Sequence, residues 1–263
     1  MTTETILTQI NDRGVATLTM NRPELHNAFD DLLITALTAE LRRLEADDSV
    51  RVVILAASGR SFSAGADLSW MRRMADYTRE ENLTDAQVLA ELMRTLATLK
   101  KPTIAQVQGA AFGGGVGLVA CCDVAIASRR ATFCLSEVKL GLIPAVISPY
   151  VVEALGPRAA RRYFQSAEIF DAAEARGLGL VHEVTTEEEL PAAVERLAAT
   201  LLLNGPRAMA AAKELVARVA SGPIDEAMIR DTAERIADTR ASAEGKEGLS
   251  AFLEKRKPRW VKG

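Results

Sequence analysis

Apolar and polar positions follow one another in blocks that predict a strand–helix succession along most of the chain. Residues 5–10 and 15–20 are short β-prone runs separated by Asn11-Asp12-Arg13-Gly14, the spacing of a hairpin with a short loop. Asn21-Arg22-Pro23 ends the second run. From Asn27 to Glu45, Phe29, Leu32, Leu33, Ala36, Leu37, Leu41 and Leu44 recur at helical spacing. Val50 to Ala57 is continuously apolar, the pattern of a strand buried on both faces of a parallel sheet. The turn-rich Gly59–Asp67 opens into a helix from Leu68 to Ala75. Residues 76–84 are polar and read as mobile, and 85–100 form an amphipathic helix. Pro102 precedes a second buried strand, Thr103 to Val107, followed by a glycine cluster, a helix and a strand from Asp123 to Ala127. This alternation predicts α/β units with right-handed crossovers. After residue 170 strand signals nearly vanish, and helices are expected at about 186–203, 205–220, 224–240 and 243–256. The pattern divides into an α/β core over 1–200 and a helical part over 201–263.

Composition narrows the class. The chain has 263 residues, 48% hydrophobic and 25% charged, which suits a large globular core. Its net charge of −3 lacks the basic footprint of a nucleic-acid binder. The basic residues Lys255, Arg256, Lys257, Arg259 and Lys262 read first as a solvated tail. Cys121, Cys122 and Cys134 are odd in number and two are adjacent, so no disulfide framework is expected. The polar N-terminus carries no signal-peptide pattern. The apolar stretch 110–127 contains Asp123 and glycines and falls short of a membrane span. A cytoplasmic protein is the expectation. His26 and His182, the two histidines, lack partners at metal-ligand spacing, so no metal is expected. Ser63 and Ser136 lie outside any G-x-S-x-G elbow, which argues against a serine hydrolase.

Two glycine-rich turns lie between a buried strand and a helix: Ser63-Ala64-Gly65-Ala66-Asp67, and Gly109 through Gly113-Gly114-Gly115 to Gly117. Such turns leave free N–H groups at a helix N-terminus, where the dipole favours negative charge. Two donors converging on one oxygen make an oxyanion hole. Plain loop geometry or close helix packing would explain either turn alone. The second run is neither a G-x-G-x-x-G fingerprint nor a P-loop.

Asn21-Arg22-Pro23 with Asn27-Ala28, Phe62 to Asp67, Gly109 to Gly115, Cys122-Asp123, and Ser136-Glu137 through Pro144 resemble, in order and spacing, the enoyl-CoA hydratase/isomerase (crotonase) family. Glu247-Gly248 and Phe252 to Arg256 extend the likeness over essentially the whole chain. The resemblance implies a crotonase (ClpP-like) spiral fold of repeated ββα units with a helical C-terminal region. It implies coenzyme A as the substrate carrier, no catalytic cofactor, and a homotrimer or dimer of trimers. It assigns the oxyanion donors to the N–H groups of Ala66 and Gly114, and catalytic acid–base work to Glu137. Coenzyme A contacts fall on Arg22, Leu25, Ala28, Ala64, Asp67 and Leu68, with Phe252 and Lys255 reaching in from the C-terminal helices, often of a neighbouring subunit. Trp70, Met71, Gly117 and Ala145 would line the acyl pocket, and for Trp70, Met71 and Met74 core packing is an equal reading.

One position departs from the pattern. Two-glutamate hydratases of the family carry a second glutamate where this chain has Gly117, and single-glutamate members include double-bond isomerases. The space left at Gly117 is expected to admit a water or a carboxylate of the substrate. The segment Pro144-Ala-Val-Ile-Ser-Pro149, with Ala66 to Met71 and Cys121-Cys122-Asp123, resembles a branch acting on methylglutaconyl-CoA or isohexenylglutaconyl-CoA. Those substrates carry a second carboxylate, for which Arg72, Arg73 and Lys139 are candidate partners. Reversible hydration of a branched enoyl-CoA, 3-methylglutaconyl-CoA first, is therefore expected, with an isohexenylglutaconyl-CoA or general enoyl-CoA hydratase as alternatives, double-bond isomerisation as the runner-up class and a catalytically silent binding protein as a third reading.

Overall fold

The computed structural model describes residues 4–220 and 222–261; Lys262 of the basic tail lies outside them. The expected hairpin forms: β1 (Ile6–Ile10) and β2 (Val15–Met20) pair antiparallel, with Ile6 opposite Met20. Asn11 closes its loop, the side-chain oxygen accepting from Val15 N at 3.0 Å. The following helix starts later than periodicity suggests. α1 (Asp31–Ala46) begins after Asp30, whose side chain caps it by accepting from Leu33 N at 2.8 Å. Asn27, with a left-handed φ of 52°, belongs to the turn before it.

β3 (Val52–Ala57) is followed by α2 (Leu68–Met74) and α3 (Arg79–Ala97), then β4 (Thr103–Val107). Residues 79–84, read from sequence as mobile, are the first turns of α3. Thr78 and Glu81 form a capping box: Thr78 N donates to Glu81 Oε2 at 2.7 Å, and Glu81 N to Thr78 Oγ1 at 3.2 Å. A polar helix face over solvent carries the same composition as a loop, which is why the stretch misled.

Next come β5 (Ala111–Phe112), α4 (Gly114–Cys121), β6 (Val124–Ser128) and β7 (Thr132–Cys134). A 3-10 turn (Glu137–Leu140) leads to α5 (Ser148–Ser166), β8 (Phe170–Asp171), α6 (Ala172–Leu178) and β9 (Glu183–Thr185). The chain ends in α7 (Leu190–Leu202), α8 (Pro206–Ala220), α9 (Glu226–Ala241) and α10 (Ala243–Leu253).

The large sheet has the order β1-β2-β3-β4-β6-β9, and the small one β5-β7-β8. A parallel bridge from Ser63 to Ala111 adds the Ser63 turn to the small sheet's edge. Successive units thus place one strand in the large sheet, one short piece in the small sheet and then a helix, the spiral of ββα units expected from the sequence. The central strands β3, β4 and β6 of the large sheet bury both faces. Val52, Ile54 and Ala56, with Ile104 and Ile126, pack on Leu190, Val194 and Ala198 of α7. Val53 and Leu55 face the larger core with Leu33, Leu37, Leu92, Leu96 and Val116. α8 is tied to this body by Lys213, whose ammonium lies 2.9 Å from Asp123. Among the described residues, no helix is long and apolar enough to cross a membrane.

Candidate active site

The two glycine turns meet on one residue, Phe29. Phe29 N donates to Gly65 O at 2.7 Å and Asp67 N to Phe29 O at 2.8 Å, a parallel bridge centred on Ala66. That pattern turns the Ala66 N–H away from Phe29, and it bonds to no described residue. The Phe29 ring lies under the second turn, where a Cβ on Gly114 would be 3.1 Å from its Cε2. Sequence reasoning treated Phe29 as part of a helix stripe. Its place just after the Asn27-Ala28 motif was the available signal that it does something else.

Gly114 opens α4, so its N–H is among the first four amides that no helix can satisfy internally. It too bonds to no described residue. Gly113 aims it: at φ 50° and ψ −118°, a conformation that suits glycine, its N donates to Cys134 O at 2.9 Å. Gly65, at φ 91°, makes the matching bend in the first turn. The positive end of the α4 dipole adds to the field at Gly114.

Glu137 completes the cluster. A Cβ on Gly113 would lie 3.2 Å from Glu137 Oε1 and 3.9 Å from Gly65 Cα, so carboxylate and both turns share one small volume. Glu137 Oε2 is buried without a hydrogen-bond partner. Burial pushes the carboxyl's pKa above its ordinary 4.5, opposed by a hydrogen bond from its own backbone N–H. Two unpaired amides beside a desolvated carboxyl can polarise a carbonyl oxygen and move a proton on the adjacent carbon.

The other assigned residues divide into two groups. Arg22, Ala28 and Asp67 come together beside the first turn: the Arg22 side chain, 13% exposed, pairs with Asp30 at 2.7 Å, donates to Ala28 O at 3.1 Å and lies 3.8 Å from Asp67. Its charge is already shared by two carboxylates, and it ties this loop to α2. Asp67 also caps α2, accepting from Ser69 N at 2.8 Å and Trp70 N at 3.1 Å. Leu25, Ala64 and Leu68 are exposed at the rim. Trp70 is buried in the main core and donates through Nε1 to Asp85 at 3.0 Å, while Met71 is half-buried. Arg72, Lys139 and Ala145 are exposed, and Arg73 pairs with Asp31 at 2.5 Å. Phe252 is 80% exposed and Lys255 is exposed with a left-handed φ of 54°.

Gly117 requires a correction. No space stands beside it for a water or a carboxylate, because a Cβ there would lie 2.3 Å from Ile147 Cγ2 and 3.2 Å from Met93 Cε. Gly117 is instead backed by the apolar side chains of Ile147 and Met93. All three cysteines are free and buried, and burial pushes the Cys122 thiol up to about 12. Among the described residues, no group of three or more His, Cys, Asp or Glu side chains is placed to hold a metal ion.

The chain is similar to known proteins along nearly its whole length. A family model described as enoyl-CoA hydratase/isomerase matches residues 11–263. A crystal structure of an enoyl-CoA hydratase from Shewanella pealeana superposes with a TM-score of 0.95 at 49% identity, covering 98% of this chain and 96% of that one. The crotonyl-CoA hydratase of Syntrophomonas wolfei is 32% identical, over 95% of each chain. The 1,2-epoxyphenylacetyl-CoA isomerase of Escherichia coli K12 is also 32% identical, over 98% of each. Relatives of equal identity to this chain are thus named for water addition and for isomerisation.

Proposed function

The chain belongs to the enoyl-CoA hydratase/isomerase family, and on that premise we propose that it hydrates a branched enoyl thioester. The substrate that fits best is 3-methylglutaconyl-CoA, giving 3-hydroxy-3-methylglutaryl-CoA, with isohexenylglutaconyl-CoA as the related alternative. The observation that carries the reading is Glu137 Oε2, buried and unpartnered beside the unpaired amides of Ala66 and Gly114.

In this mechanism the thioester oxygen accepts from both amides. Charge grows on that oxygen as water attacks, so the bonds strengthen in the transition state. The water oxygen bonds the β-carbon, one of its protons passes to the Glu137 carboxylate, and the Glu137 carboxyl returns that proton to the α-carbon as the enolate collapses. The net change is the addition of one water. A single oxyanion donor contributes about 10²–10³ in rate, and a positioned acid–base group about 10²–10⁴. Hole and carboxylate are thus comparable in weight.

Coenzyme A is assigned to the rim formed by Leu25, Ala28, Ala64 and Leu68, with Arg22 and Asp67 shaping it. Phe252 and Lys255 would contact it from the C-terminal helices of a neighbouring copy in a trimer. Arg72 and Lys139 are exposed and form no ion pair with a described residue, which suits them to a distal substrate carboxylate. The second reading, double-bond isomerisation, is favoured by the single carboxylate and the closed wall at Gly117.

A panel of enoyl thioesters with and without a distal carboxylate tests this, followed by loss of the conjugated-thioester absorbance in ¹⁸O-water. Faster turnover of the dicarboxylic substrates with ¹⁸O at the β-carbon is expected. Double-bond migration without ¹⁸O would establish the isomerase instead. Glu137→Gln should lose about 10²–10⁴ of the rate; unchanged turnover would remove Glu137 from the mechanism.

A further inference from the structure

Gly117 on α4 packs against Ile147, the residue that opens α5, with no room left for a side chain. A Cβ on Gly117 would meet Ile147 Cγ2 at 2.3 Å, Ile147 Cβ at 2.9 Å and Met93 Cε at 3.2 Å. Ile147 cannot retreat cheaply. It is 2% exposed, and its carbonyl accepts from Val151 N at 3.1 Å at the start of α5. The turn before it is fastened too, Ser148 Oγ donating to Ala145 O at 2.8 Å. Behind it the wall is apolar, Cys121 Sγ lying 3.8 Å from Met93 Sδ.

The notch connects to the catalytic cluster through Gly113. Gly117 N donates to Gly113 O at 3.3 Å, one helical turn back. Gly113 is the residue against which Glu137 Oε1 rests. Residues four apart on a helix lie on one face, so a side chain at 117 would emerge on the same side of α4 as Gly113 and the Glu137 carboxyl beside it, and Ile147 takes that volume.

We propose that Ile147 is the specificity-determining residue that keeps this site to a single carboxylate, by filling the notch at Gly117 one turn along α4 from Glu137. This rests on the hydratase reading above. The water is then held by Glu137 alone, so straight-chain enoyl thioesters, which offer no further anchor, turn over slowly. Exchanging the volumes of the pair, a carboxylate at 117 and nothing at 147, opens a two-carboxylate site. The added carboxylate only accepts a hydrogen bond from the water and leaves the proton balance with Glu137.

The test compares wild type, Gly117→Glu, Ile147→Gly and the double variant for Tm, coenzyme A binding and hydration of crotonyl-CoA. Gly117→Glu alone is expected to lower Tm by about 5 °C or more, and the double variant to recover at least half of that loss. The double variant should hydrate crotonyl-CoA at least tenfold faster than Ile147→Gly. Full stability of Gly117→Glu, or a double variant no faster than Ile147→Gly while wild type still hydrates a branched substrate, overturns the role given to Ile147. If wild type binds coenzyme A but hydrates no thioester, the hydratase reading fails first and the proposal with it. If Gly117→Glu does not fold, Gly117→Ala decides: its Tm loss should be larger with Ile147 present than in an Ile147→Ala background, and equal losses contradict the pairing.

Discussion

Gly114 and Gly117 lie less than one turn apart on α4, yet their surroundings are opposite. Gly114 offers an unpaired amide at the mouth of the site, above the Phe29 ring. Gly117 has its amide bonded to Gly113 O and its side filled by Ile147. At the first position glycine serves a bond the backbone makes to a ligand. At the second it lets two helices touch. The same residue type in one short run answers two physical demands, and only the neighbours tell them apart.

The largest expected effect is at the open end. Gly114→Pro removes one donor at a helix start that tolerates proline, so kcat/KM on the best thioester of the panel should fall by about 10²–10³ or more. Gly114→Ala is the control. It brings the same Cβ within 3.1 Å of Phe29 but keeps the N–H, so it should cost far less activity. Equal losses in the two variants would mean that packing on Phe29, not the amide, matters.

The second effect is pH dependence. Burial disfavours the charged form of Glu137, so its folded pKa lies above the ordinary 4.5. As a base it must be ionised, and kcat/KM should fall on the acid side with a midpoint above 4.5. Glu137→Gln should lose that limb. The sign for stability is the reverse. The folded state holds its proton to higher pH than the unfolded chain, so this group's contribution falls as pH rises from about 4.5 through the raised pKa. Glu137→Gln should therefore be at least as stable as wild type at pH 7, with the advantage lost in acid, as read by Tm at each pH.

The smallest effect is at the closed end. Met93→Leu conserves volume in the wall, where such exchanges usually cost less than about 1.5 kcal/mol. Tm should shift by no more than about 5 °C, with turnover within a few-fold. A large loss of activity would mean that the wall is part of the catalytic machinery.

Much of this is legible in the sequence. The hairpin at 5–20 and the strands 52–57 and 103–107 follow from alternation and continuous apolar runs, which reflect burial on one face or two. The strands 111–112, 170–171 and 183–185 are too short to leave a period. The Thr78 and Glu81 capping box starts a helix inside a polar stretch whose composition is equally that of a loop. At the site, the glycine turns pointed to amides, because glycine between strand and helix has few other uses. What the sequence could not carry was the third dimension: Phe29 lying beneath both turns, and Ile147, thirty residues on, filling the gap at Gly117. Those contacts join segments that no local pattern connects.

The most direct measurement is exchange of the α-protons of butanoyl-CoA in D₂O, followed by NMR, because it needs enolate formation and no water addition. Wild type and Gly114→Ala are expected to exchange them, and Gly114→Pro and Glu137→Gln to fall to the uncatalysed rate. Undiminished exchange in Gly114→Pro would contradict the claim that the amides of Ala66 and Gly114 stabilise a thioester enolate.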